Sequence, residues 1–207
     1  MSAAAIDIRR EPEPGTGAFG MWVFLASEVL FFGGLFVAYL YGRTQWPQGW
    51  AAGSRHTDVV LGTVNTALLL TSSAAIALAV ACEEDARQRR WTARLLALTA
   101  ALGTAFLAVK GFEWHAEWRE HLVPGPAFAI DVAGAQEFFA LYFVMTGLHA
   151  VHMIVGIGTL AALAAGRARD RGWARANRIE IAALYWHFVD LVWIFLYPLL
   201  YLVERHG

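Results

Sequence analysis

The chain has one cysteine, Cys82, in 207 residues. An internal disulfide is therefore excluded, and so is any metal cluster built on several cysteines. Charge is also scarce. Asp, Glu, Lys and Arg make up 16% of the residues, where a soluble domain carries about 25%. The net charge is -1, so there is no basic footprint for nucleic acid. The first seventeen residues hold Asp7, Arg9, Arg10, Glu11 and Glu13 but no apolar core. They do not form a secretory signal, and residues 1–17 are expected to be a mobile cytoplasmic tail.

Apolar side chains are abundant instead. They make up 58% of the chain, and the mean hydropathy is +0.47. This composition belongs to a multi-span membrane protein. Five apolar runs follow the tail: 18–42, 59–81, about 92–112, about 138–165 and about 179–203. Each reaches the roughly 20 residues that a helix needs to cross a hydrocarbon core of about 30 Å. The runs are continuous rather than alternating, so helices are expected and not a barrel. Residues 18–207 are thus expected to form an all-α, polytopic bundle of five transmembrane helices.

Basic residues set the orientation. Arg9, Arg10, Arg87, Arg89, Arg90, Arg94, Arg167, Arg169, Arg171, Arg175 and Arg178 would share one side. The other side would hold Arg43, Arg55, Lys110, Arg119 and Arg205. The positive-inside rule then predicts a cytoplasmic N-terminus and an outer C-terminus. Trp46, Trp50, Trp114 and Trp118 read as an interfacial belt on the outer side. The loop from about residue 115 to 134 carries Pro124, Gly125 and Pro126, which is turn chemistry.

Several polar groups fall at membrane depth. Glu28 lies inside the first run with no basic residue within a turn. Desolvation should keep such a carboxyl protonated, and an intramembrane carboxyl is a functional candidate by default. Its bland counterpart is a protonated carboxyl that ties two helices together. His149 and His152 share one helix face, as do His187 and Asp190. The expected arrangement is a hydrogen-bonded network between helices, with His149 and His152 as the nearest partners for the His187–Asp190 face and a coupling of His152 to Asp190. Metal or haem ligation by the same groups would make the chain an independent membrane metal or haem protein. Glu113 is expected to pair with Lys110, three residues away, at the outer interface. Asn65 is expected to act as glue between helices, and Gly33, Gly34, Gly156 and Gly158 to allow close helix approach.

These motifs occur in a telling order. Ser27-Glu28-Val29-Leu30-Phe31-Phe32 comes first, then Asn65-Thr66-Ala67-Leu68-Leu69-Leu70 and Glu113-Trp114. Thr146-Gly147-Leu148-His149-Ala150-Val151-His152 and Tyr185-Trp186-His187-Phe188-Val189-Asp190-Leu191-Val192-Trp193 follow. Together they resemble subunit III of the haem–copper terminal oxidases, over nearly all of the chain from Phe19 onward. The resemblance implies a chain without a redox centre or metal of its own, the haems and copper being in partner subunits. It implies direct packing on oxidase subunit I, contact with other oxidase subunits, and bound phospholipid. It also implies support of proton uptake and protection of the core from turnover inactivation, within a bacterial inner membrane and with a periplasmic C-terminus. Glu28 matches the family's buried, carbodiimide-reactive glutamate, and Lys110 stands where relatives often carry Gln. Seven-helix members have two further helices and a lipid-filled cleft. Five runs resemble the short form found in bacterial cytochrome c oxidases, quinol oxidases and nitric oxide reductase-associated members.

Overall fold

The computed structural model describes residues 16–85 and 87–202. Six α-helices carry the fold: α1 (Thr16–Gln45), α2 (Pro47–His56), α3 (Val59–Glu84), α4 (Thr92–Arg119), α5 (Ala135–Ala168) and α6 (Ala176–Tyr197). A 3-10 turn, Arg89–Trp91, leads into α4, and a π-helical turn, Pro198–Leu202, ends α6. There is no strand among the described residues. Five helices (α1, α3, α4, α5 and α6) are long and apolar enough to span a membrane. The chain is an all-α integral membrane protein. Most of the expected tail lies outside the described residues, and α1 already begins at Thr16.

Packing ranks the helices. In α6, 56% of the most apolar window is buried inside the bundle, against 17% in α1. α6 is therefore central and α1 peripheral. The seam between α6 and α3 is tied by two indoles. Trp186 donates from Nε1 to Ser72 Oγ at 3.0 Å, and Trp193 from Nε1 to Thr66 Oγ1 at 3.1 Å. Buried indoles need such acceptors because water is absent at this depth. Trp186 also requires space. A Cβ at Gly103 would lie 2.6 Å from its ring, and one at Gly156 2.9 Å. Gly156 thus allows close approach as expected. Gly33, Gly34 and Gly158 do not, since nothing lies within 4 Å of a Cβ at those sites.

The short α2 was not foreseen. Pro47 opens it at the first helical turn, where a missing N–H costs nothing. It folds Trp50 inward against Tyr39 and Phe138. Trp50 is fully buried, so it is a core residue and not a member of an interfacial belt; Trp118 is exposed. Asp58 caps α3 by accepting from the backbone N–H groups of Val60 and Leu61. At the opposite end of the bundle, Arg167 of α5 holds Glu83 of α3 at 2.8 Å, and Arg89 flanks the same carboxylate at 3.5 Å.

The third apolar run extends further than composition indicates. α4 continues two turns past Phe112 to Arg119. Lys110 is nine residues before that end, or about 14 Å along the axis at 1.5 Å per residue. Lys110 and Glu113 therefore lie inside the bundle rather than at its surface. The following loop closes on itself, with Ala129 N–H donating to the carbonyl of His121 at 3.0 Å. It ends at Gly134, whose φ of +90° and contact with Trp46 leave no room for a side chain.

Candidate functional site: two polar centres inside the bundle

The first centre joins α1 to α5. Glu28 Oε2 lies 3.2 Å from His152 Nε2, and each side chain is 17% exposed. The other ring nitrogen, Nδ1, is 2.8 Å from the carbonyl oxygen of Leu148. A carbonyl only accepts, so Nδ1 must carry a hydrogen. Nε2 and Oε2 can then approach each other only with a proton between them. That proton sits on the carboxyl in a neutral pair or on the imidazole in an ion pair. In both forms the contact holds one transferable proton at membrane depth. Phe32 packs edge-on against the His152 ring at 5.5 Å, and Tyr185 donates to the His152 carbonyl at 3.0 Å. The rings of Phe32 and Tyr185 flank the imidazole, the latter stacked at 6.4 Å.

The second centre lies between α4, α5 and the π-helical turn. Lys110 Nζ donates to Glu113 Oε2 at 3.1 Å, to Tyr142 OH at 2.6 Å and to Tyr201 OH at 2.5 Å. Tyr142 and Tyr201 in turn donate to Glu113 Oε1 at 2.9 Å and 2.6 Å. All three ammonium hydrogens and both carboxylate oxygens thus find partners. Lys110 and Glu113 are each 2% exposed. The expected pairing forms, but not as the solvated interfacial pair anticipated. Nζ also faces the rings of Tyr142 at 4.4 Å and Trp193 at 5.8 Å, a cation–π setting. Tyr201 reaches the site because Pro198 cannot supply the N–H that would continue α6, and the backbone widens into a π turn.

Glu117 borders this cluster, buried, with neither carboxylate oxygen hydrogen-bonded among the described residues. Sequence reasoning missed Glu117, Tyr142 and Tyr201. The spacing Lys110, Glu113, Glu117 is a one-face pattern on a helix, and it would have signalled a shared site.

The remaining polar residues separate. His152 turns to Glu28 and not to Asp190. His149, three residues earlier, points into the core between Phe106 and Trp193, at centroid distances of 5.5 Å and 5.2 Å. Among the described residues neither of its ring nitrogens has a hydrogen-bond partner, and the same holds for Asn65 Oδ1 and Nδ2 and both oxygens of Asp190. Among the described residues Asn65 thus makes no side-chain hydrogen bond that glues helices. His187 Nδ1 meets Ser73 Oγ at 2.8 Å, which ties α6 to α3. No three His, Cys, Asp or Glu side chains converge as a metal site among the described residues.

Comparison with known proteins gives this arrangement its family. The family model described as cytochrome c oxidase subunit III matches residues 15–204. The chain belongs to that family. A cytochrome c oxidase subunit 3 from Thermostichus vulcanus is 33% identical over 210 residues, covering 99% of this chain and 95% of the relative. One from Corynebacterium diphtheriae is 30% identical over 198 residues, covering 92% and 90%. A heme-copper oxidase subunit I+III from Aeropyrum pernix is 33% identical over an alignment of 196 residues, covering 88% of this chain and 22% of that longer protein. The subunit III family thus spans both buried centres, and the match includes all five apolar helices.

Proposed function

We propose that this chain is the non-catalytic subunit III of a proton-pumping haem–copper terminal oxidase in a bacterial cell membrane. In this reading it packs directly on subunit I and contacts further oxidase subunits and phospholipid. The relative named subunit I+III supports the first contact, because its name links the two subunits in one chain. Haem and copper belong to partner subunits, and this chain supplies no redox step. Its N-terminus faces the cytoplasm and its C-terminus the periplasm, as the arginine-rich loops imply. The relatives' shared name favours the cytochrome c oxidase type over the quinol oxidase or nitric oxide reductase-associated types.

The Glu28–His152 pair carries the reading. It holds one proton at membrane depth, between α1 and α5. Such a pair suits support of proton uptake by a neighbouring catalytic subunit and protection of that subunit during turnover. Glu28→Gln in the assembled complex tests this. Oxygen consumption should start near the normal rate and decline faster over successive turnovers. Hydrophobic carbodiimide should label the wild-type chain at Glu28 and spare the variant. A fully assembled complex whose initial rate is abolished by Glu28→Gln would refute a supporting role and require a direct catalytic one.

A further inference from the structure

The outer face of the α3/α6 seam carries a feature that the bundle itself leaves incomplete. A groove of roughly 410 Å³ runs along it, lined by Ala77, Val80, Glu180, Ala183, Leu184 and His187. His187 is eleven residues into α6, about 16 Å from its start, so it lies near the middle of a hydrocarbon core of about 30 Å. The ring is only half-buried there. Ser73 satisfies Nδ1, and Nε2 has no partner among the described residues. A polar ring open to lipid at this depth is costly and is normally covered by protein. Glu180 stands exposed at the groove's mouth, two turns before His187. The floor between them is Ala77 and Ala183, small side chains that admit another backbone closely.

We infer that this groove seats a transmembrane helix of an adjoining oxidase subunit. The occupant is apolar along its length. It carries a basic residue against Glu180 and, about 10 Å away or two turns at helical rise, a hydrogen-bonding side chain against His187 Nε2. Polar complementarity at two points selects a protein helix over acyl chains. A lipid tail could fill the apolar stretch but could not satisfy a histidine at mid-membrane. The inference rests on the proposed place of the chain in an oxidase complex.

The test uses the intact complex purified from membranes. A photo-reactive benzoylphenylalanine replaces Leu184 on the groove wall. After illumination, mass spectrometry identifies what is attached. A cross-link to one defined transmembrane peptide of a co-purifying oxidase subunit is the expected result. Ala77→Phe, which fills the groove from an exposed position on α3, should remove that cross-link while the bundle still folds. Attachment to lipid alone, with the other oxidase subunits still co-purifying, would overturn the inference and leave the proposed function standing. A preparation that contains no other oxidase subunit would instead overturn the proposed function on which the inference rests.

Discussion

Lys110→Met is the sharpest test of the buried cluster. The substitution keeps an unbranched, apolar side chain of similar length but deletes the ammonium. Glu113 then loses its 3.1 Å ion pair, and Tyr142 and Tyr201 lose the donor that their oxygens accept. Breaking one side of a buried pair costs about 3–5 kcal/mol, because the remaining charge stays desolvated and unpaired. Two tyrosine hydroxyls still donate to Glu113 Oε1, so the carboxylate keeps hydrogen-bond partners in the variant and is not left wholly bare. The expected loss therefore falls at the lower end, about 3 kcal/mol. Glu113→Leu alone should cost a similar amount by stranding the ammonium.

The double variant distinguishes this account from simple loss of packing. With both charges gone, the Lys110→Met/Glu113→Leu protein should be more stable than either single variant. The coupling energy should exceed about 0.5 kcal/mol, well outside the additive range for independent sites. Reversible unfolding of the detergent-solubilised chain, followed through its tryptophan fluorescence, reads all four corners of the cycle. Strictly additive losses would refute the charge-pairing account and leave Lys110 as a volume-filling residue. Lys110→Gln retains an amide that donates to Glu113, so it should fall between wild type and the methionine variant.

Two further outcomes follow from geometry. A double-mutant cycle on Glu28 and His152 should show coupling of about 0.5 kcal/mol or more, since the two side chains touch at 3.2 Å; an additive result in the same unfolding assay would deny that they share a proton. Gly103→Ala should cost about 1–3 kcal/mol by overpacking, because its Cβ would press on the Trp186 ring, whereas Gly158→Ala meets open space and should stay within about 0.5 kcal/mol of wild type.

The five spanning helices were legible because each apolar run is continuous and long. No competing period obscures them, and α3, α4, α5 and α6 bury their faces as the runs suggest. What composition misjudged was the outer end of α4. Glu113, Trp114, His115 and Glu117 look like loop residues by polarity, yet Glu113 and Glu117 are buried because the bundle supplies their surroundings. Local polarity registers neither Tyr142, twenty-nine residues from Glu113, nor Tyr201, eighty-eight residues from it. The turn signal at Pro47 was present in the sequence and would have revealed α2.

The polar pairs were harder to place for a geometric reason. Residues three apart on a helix lie on one face but differ in direction by about 60°, given 3.6 residues per turn. On a helix with one neighbour that difference is immaterial. α5 instead packs against α1, α2, α4 and α6, so the same offset sends adjacent side chains to different partners. His152 meets Glu28 on α1, while His149 enters the core beside Phe106 of α4 and Trp193 of α6. The same offset on α6 turns His187 to Ser73 and the open groove and leaves Asp190 buried. A shared face in the sequence therefore marks depth correctly but cannot assign partners in a bundle this crowded. The polar groups divide by helix seam: the proton-holding pair at the α1/α5 seam, the ammonium cluster between α4, α5 and the end of α6, and the half-covered histidine at the α3/α6 seam. Of the three, the last is the most open to the surroundings, its ring half-buried beside the groove. Its Nε2, without a partner among the described residues, is a contact that a neighbouring subunit can complete.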